Sequence, residues 1–333
     1  MRTSLARSQL GSSPGVSESC REVMQRARCV WIDHPALEVL AGRIASGGLP
    51  PSAPPWDRRR HFCGDPDRTA NYILALDALN FCFWAFPGEE RWRIRYEGEI
   101  LDGYWALAAA LTRSIQNGLD LTDARVMASA SRAMLAEVFS GQGEIPLLDA
   151  RVANLREAGR VLAERYGGKM TSLIAACQGS GQRLALRVAS EMSSFDDRAS
   201  YDGVEVRFFK RAQILAVDLA ACFEQAGPGR FDDLAELTAF ADYKVPQVLR
   251  ELGALEYTPE LAAWIEDQRE LPQGSPQEVE IRAATVMAVG DLAALLARRG
   301  IALTAVALDG LLWHLGQDLA FRHTYHRTRT IYY

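Results

Sequence analysis

Apolar residues recur every three to four positions over most of this chain, the spacing of amphipathic helices. The pattern predicts helices at Tyr104–Asn117, Asp123–Phe139, Leu147–Tyr166, Thr171–Met192, Arg207–Glu224, a pair around Asp242, Pro259–Arg269, Glu278–Arg299 and Thr304–Phe321. An apolar run over Asn71–Phe86 precedes them. Strict alternation is confined to Arg91-Trp-Arg-Ile-Arg-Tyr-Glu-Gly98, which predicts a short β-hairpin, and everything after it reads as helix. Loops rich in Gly, Pro and Asp separate the periodic segments. Residues 1–20 are rich in Ser, Gly and Arg without period and are expected to be a disordered lead-in. A Pro-rich connector spans Gly48–Trp56. The expectation is a mainly α, compact multi-helix protein with a small β-hairpin, in which residues 21–333 form one domain.

Composition narrows the function classes. The 333 residues are 48% hydrophobic, enough for a large core, and the formal net charge of −5 disfavours a long nucleic acid as the main ligand. No stretch has the uninterrupted apolar length of a membrane span, and the N-terminal residues lack the apolar core of a secretory signal, so a cytoplasmic protein is expected. The six cysteines show neither CxxC spacing nor a histidine cluster, which argues against a zinc site or a disulfide framework. Gly-rich phosphate loops, GxSxG and HExxH are all absent. Only Lys169, Lys210 and Lys244 are lysine, every other cationic side chain being arginine. An amine in such a background draws notice.

Three segments set polar groups among apolar ones. In Leu237-Thr-Ala-Phe-Ala-Asp-Tyr-Lys-Val-Pro-Gln-Val-Leu249, Pro246 suits the first position of a helix running to Gly253, which sets Asp242 near a positive helix end. Such a carboxylate either caps backbone or stands where positive charge develops on a substrate. Lys210 shares a helical face with Ile214, Val217 and Ala221, and a buried lysine must be paired or catalytic. Asp309 and Trp313 lie four residues apart on one face. A carboxylate can accept from the N1–H and exocyclic amine of a guanine-like ring while an indole stacks on it; alternatively Asp309 pairs with an arginine and Trp313 is core. Asp77 and Asn80 interrupt the Asn71–Phe86 run and are expected to tie helices together.

Six blocks carry a resemblance. They are Leu76–Trp84, Phe208–Leu215, Phe240–Gln247 with Leu252–Leu255, Gln277–Arg282, Leu308–Trp313 and His326–Tyr333, in order from about residue 20 to the last. With these the chain resembles the queuosine salvage proteins, a queuosine 5′-phosphate N-glycosylase/hydrolase family that is similar to helix-hairpin-helix DNA glycosylases. The resemblance implies hydrolysis of the N-glycosidic bond of queuosine 5′-monophosphate to queuine and ribose 5-phosphate, without metal or organic cofactor. It implies Asp242 as catalytic acid with Lys210 beside it, and Phe240, Asp309 and Trp313 in the base pocket. His314 stands where relatives can carry an acidic residue, and His61, in Arg60-His-Phe-Cys-Gly64, is carried over as a further substrate contact.

Cleaving a ribosyl C1′–N bond leaves an oxocarbenium-like sugar, which a fixed carboxylate stabilises. Asp242 is the candidate, either orienting water or forming a covalent intermediate. Lys210 either holds Asp242 or binds ribose or phosphate oxygens. Arg211, Arg327 and Arg329 are candidate phosphate partners by charge. The competing readings are a DNA base-excision glycosylase and a non-catalytic helical module that binds queuine.

Overall fold

A computed structural model describes residues 15–49, 54–86, 88–318 and 320–333. The mainly helical expectation holds, with short antiparallel strand pairs between the helices. The chain begins with α1 (Val16–Met24), β1 (Val30–Ile32) and α2 (His34–Ala45). Then come α3 (Pro66–Ala78), the hairpin β2 (Arg93–Tyr96) and β3 (Glu99–Asp102), α4 (Gly103–Gln116), α5 (Ala124–Ala128), α6 (Arg132–Val138), α7 (Leu148–Arg165), α8 (Met170–Ala176) and α9 (Gly181–Glu191). A second hairpin, β4 (Arg198–Tyr201) with β5 (Val204–Arg207), leads into α10 (Lys210–Cys222). The chain continues through α11 (Lys244–Glu251), β6 (Leu255–Tyr257), α12 (Pro259–Glu266), α13 (Pro276–Arg298) and α14 (Ala305–Asp318).

Several boundaries depart from the helical period for local reasons. Residues 16–20, expected in a disordered lead-in, belong to α1, whose Cys20 and Val23 are buried; residues 1–14 lie outside the described residues. Asp123–Phe139 divides because the Ser131 hydroxyl accepts from Met134 N–H and starts α6 afresh. Thr171–Met192 divides at Gln178-Gly179, both at positive φ, with Ser180 capping α9. The β4–β5 hairpin turns at Asp202-Gly203, with φ of 45° and 81°, an Asp-Gly signature that falls between the expected helices Thr171–Met192 and Arg207–Glu224, where no strand is expected. The pair of helices around Asp242 is one helix only. Before it the chain runs irregularly, and α11 begins at Lys244, so Pro246 is its third residue rather than its first. That position costs nothing, because the N–H groups of a first turn have no acceptor within the helix.

Two large apolar cores form. One gathers α3 to α10, centred on residues such as Leu76, Leu111, Leu155 and Leu215. The other combines α2 with α11 to α14, so that Leu37 and Leu40 pack with Val248, Leu292 and Leu308. Strand β1 pairs with β6 across more than two hundred residues. The buried Glu280 secures this closure, as its Oε2 accepts the backbone N–H groups of Arg28, Cys29 and Val30 at 3.0, 2.7 and 3.1 Å.

The two cores meet at a buried ion cluster. Arg282 of α13 donates from both terminal nitrogens to Asp197, at 2.9 and 2.6 Å, and from Nε to the Ala241 carbonyl at 3.1 Å. Its guanidinium lies 3.9 Å from the Phe208 ring centre. The Asp197 Oδ2 also accepts from Lys210 N–H at 3.2 Å, at the start of α10. With Asp197 1% exposed and Arg282 2% exposed, neither charge can fall back on water. Removing one partner of such a pair typically costs about 3–5 kcal/mol, so Asp197→Ala should lower the urea midpoint accordingly. Asp197→Leu with Arg282→Met, which removes both charges, should be milder; a double variant weaker than Asp197→Ala would contradict this account.

Candidate functional site

A cavity of about 240 Å³ lies between the two cores, walled by the segment after α3, by α4, α10 and α14, and by the segment before α11. His61, Lys210, Phe240, Asp242, Asp309, Trp313 and His314, drawn from four separate stretches of sequence, all line it.

Asp242 sits where the irregular segment enters α11. Its Oδ1 accepts from Lys244 N–H at 2.8 Å and Val245 N–H at 2.9 Å, so the capping role expected from the turn is real. One oxygen is thus consumed, while Oδ2 accepts no hydrogen bond among the described residues. The side chain is buried on the cavity wall. Burial raises its pKa, against which the Lys210 charge and the two backbone N–H groups pull down. The capping and cavity-facing readings are therefore compatible, one for each oxygen.

Lys210 is the first residue of α10, held there by the Asp197 bond and by Phe209, whose φ of 48° turns the chain sharply out of β5. The residue is 6% exposed, and its amine forms no ion pair within 4.0 Å among the described residues. Burial lowers its pKa, and the fields of Asp242, Asp309 and Asp77 oppose that shift. An unpaired buried amine beside several acids is an arrangement waiting for a ligand.

Asp309 projects from α14, and its Oδ1 accepts from Phe240 N–H at 2.8 Å, fixing Phe240 against the cavity. Among the described residues it makes no arginine pair, while Trp313 packs partly against the second core. Burial, then the nearby Asp242 charge, raises the Asp309 pKa well above the carboxylate range. Trp313 is half-buried, its ring 5.8 Å from Tyr104 and 5.9 Å from Trp105, and His314 lies edge-on to it at 5.0 Å. These rings make an aromatic wall. His61, on the opposite loop, stacks on Trp56 at 4.1 Å, and burial pushes its imidazole down to about 4.

Other expectations need correction. Arg211 does not reach the cavity: it is buried and donates to the carbonyls of Asp77, Ala78 and Ser194, supporting the end of α3. Arg327 lies over Trp84 at 5.6 Å and Arg329 over Phe86 at 3.5 Å, both outside the cavity. The cations that do line it, besides Lys210, are Arg91 and Lys244. Arg91 lay in the predicted hairpin and pairs with Asp102 at 3.2 Å, a register that only folding reveals. Lys244 was distinguishable by its amine alone. Asp77 ties no helices through its side chain: neither carboxyl oxygen meets a hydrogen-bond partner, and burial followed by the Asp218 field raises its pKa well above the usual value. Asn71 does that work instead, bonding the carbonyls of Thr122 and Gly168 and the N–H of Met170. Asp218 was missed entirely, since its place eight residues after Lys210 resembles an ordinary polar helix position. No cluster of potential metal ligands occurs among the described residues. No described helix is long and apolar enough to cross a membrane.

Comparison with known proteins places this geometry. Residues 60–333 match the family model described as queuosine salvage protein. A Sphaerobacter thermophilus protein is 51% identical over 324 residues, covering 97% of this chain and 99% of its own length. A Mus musculus protein is 33% identical, covering 95% and 98%, and one from Dictyostelium discoideum is 36% identical, covering 80% and 78%. All three relatives are named queuosine 5′-phosphate N-glycosylase/hydrolase. By the family match and the near full-length similarity, the chain belongs to the queuosine salvage protein family.

Proposed function

We propose that this protein hydrolyses the N-glycosidic bond of queuosine 5′-monophosphate, releasing queuine and ribose 5-phosphate. The observation that carries the reading is the single cavity in which a capped, buried carboxylate, an unpaired buried amine and an acid beside an aromatic wall converge. A guanine-like base has an edge of adjacent N–H donors and two flat faces. Asp309 supplies acceptors for that edge, and the Trp313 wall supplies a stacking face. Ligand donors would replace the solvent that burial denies Asp309, favouring its ionised form when the base is bound.

Asp242 stands as the group opposite C1′. As the bond to the base lengthens, positive charge spreads over C1′ and the ring oxygen, and the free Oδ2 stabilises it while Oδ1 stays locked to α11. The same carboxylate then takes the proton of the attacking water. Lys210 supplies positive charge that helps keep Asp242 ionised, without the geometry of a fixed ion pair. A cytoplasmic small-molecule salvage role accords with this chemistry.

The phosphate requires cations at the rim of the cavity. Arg91 and Lys244 stand there, and burial followed by the neighbouring Arg91 charge lowers the Lys244 pKa, a penalty that an anion would relieve. Incubation of the protein with queuosine 5′-monophosphate and chromatography of the products tests the whole reading, and recovery of intact nucleotide would defeat it.

Four outcomes follow from the assigned roles. Asp242→Asn should keep the cap acceptor yet lose the charge, slowing single-turnover hydrolysis by about a hundred- to thousandfold, or ~2.7–4 kcal/mol, with queuine affinity far less affected. Because its pKa is raised and the ionised form is required, wild-type activity should fall as pH drops through a value above the ordinary carboxylate range. Asp309→Ala should weaken queuine binding by on the order of 1–3 kcal/mol in calorimetry, and unchanged affinity would remove it from the base site. Lys244→Gln should reduce kcat/KM for the 5′-phosphate by about 1.5–3 kcal/mol while sparing any activity on the unphosphorylated nucleoside, and an equal effect on both would exclude the phosphate contact.

A further inference from the structure

Asp218 has no part in the roles assigned so far. It is carried by α10 on the face that Lys210, Ile214 and Val217 present to the cavity, and its Oδ2 has no hydrogen-bond partner. Its protonation follows from a chain of hydrogen bonds whose directions are fixed one by one. His61 Nδ1 lies 2.6 Å from the Asp57 carbonyl oxygen, which can only accept, so the ring proton resides on Nδ1. Buried and neutral, the imidazole therefore offers a lone pair at Nε2. The Tyr104 hydroxyl, 2.9 Å away, donates its one proton to that lone pair. Tyr104 Oη then presents only lone pairs toward the Asp218 carboxyl, its neighbour in the cavity lining. A carboxylate there would oppose lone pair to lone pair. A carboxylic acid donates.

Other groups around Asp218 act in both directions. Asp77 of α3 is a second buried carboxyl whose pKa the Asp218 charge raises, and Lys210 favours the charged form of both. The Cys222 thiol, one turn on in α10, is also affected by its field. The balance among Tyr104, Asp77, Lys210 and Cys222 lies with the neutral acid, chiefly because burial penalises the charged form. A cavity that hydrolyses an N-glycoside needs such a group, since the departing base takes the bonding electron pair and must be protonated.

We propose that Asp218 is the catalytic acid that protonates the departing base, complementary to Asp242, which faces the sugar. This rests on the N-glycosidase reading above. The C1′–N bond breaks with its electron pair going to the base, and the Asp218 O–H turns from Tyr104 to give its proton to the departing ring nitrogen. Water adds its oxygen to C1′ and gives a proton to Asp242. The proton gained at Asp242 and the one lost at Asp218 are exchanged with solvent before the next turnover, so charge and atoms balance. Two acids in one cavity are thereby held in opposite protonation states by different hydrogen-bond partners.

The test is kcat for queuosine 5′-monophosphate across pH in the wild type and in Asp218→Asn, which keeps an N–H toward Tyr104 but has no proton to give. Wild-type kcat should fall on the alkaline side as Asp218 ionises. The variant should be roughly a hundred- to ten-thousandfold slower, with KM little changed and that alkaline fall absent. An alkaline limb that persists in Asp218→Asn, or a loss confined to KM, overturns the proposal. Tyr104→Phe supplies an independent check, because removing the lone pairs that hold the acid should move the wild-type limb to lower pH; a limb that stays in place overturns the proposal as well. 7-Deazaguanosine 5′-monophosphate, which lacks the cationic side chain of queuosine, separates proton donation from side-chain recognition. Asp218→Asn should slow both substrates, and a loss seen with queuosine 5′-monophosphate alone would refute the acid role. Wild-type protein that releases no base at any pH would refute the N-glycosidase reading itself, a result distinct from any of these.

Discussion

The guanidinium of Arg282 is the constraint on which the site depends. Two of its nitrogens grip Asp197, and the third grips the carbonyl of Ala241. Asp197 in turn fixes the backbone N–H of Lys210, and Ala241 is the residue before Asp242. One planar cation in α13 therefore ties together the backbone positions that carry Lys210 and Asp242, both of which line the cavity. Arginine is suited to this because its fork satisfies a carboxylate with two bonds and leaves Nε for a third acceptor in the same plane, a geometry lysine lacks. The bidentate pair also explains how an ion cluster can be tolerated between two apolar cores, since each charge is balanced and the aromatic faces of Phe208 and Tyr333 cover the cation.

Around Lys210, backbone N–H groups distinguish the four carboxyls of Asp242, Asp309, Asp77 and Asp218. Asp242 receives two such bonds and Asp309 one, whereas the side chains of Asp77 and Asp218 receive none. Each bond from an N–H favours the anion, and each degree of burial favours the acid. A graded set of protonation states follows from the local backbone. Such grading lets one small volume contain both a base and an acid.

How far this was legible in the sequence varied with the range of the interaction. Helices were readable because their period is local, and the Asp242 turn was readable because proline and a capping acid lie within five residues. The Asp309–Trp313 pair was likewise visible as one helical face. Breaks at Ser131 and Ser180 were hidden, since a serine within a periodic run is compatible with both continuation and a new cap until tertiary packing decides. The phosphate candidates erred for a different reason. Arg211 sits next to Lys210 in sequence, but adjacent helical positions point about 100° apart, so the same helix that turns Lys210 toward the cavity buries Arg211 under α3. Arg91 and Asp218 required knowledge of which elements face each other, which periodicity does not contain.

The joining of β1 to β6, with α2 packed among α11 to α14, has a consequence for how the chain is made. Segments at opposite ends of the sequence share one core, while the intervening helices α3 to α10 fill the other. During synthesis α1, β1 and α2 emerge first, yet the side chain that binds the backbone of Arg28, Cys29 and Val30 belongs to Glu280, some 250 residues later. The first core can assemble as its helices leave the ribosome, because its contacts close within its own stretch of chain. The segment around α1, β1 and α2 must wait with its apolar faces uncovered until α13 arrives, so its packing is completed by a helix translated some 250 residues later.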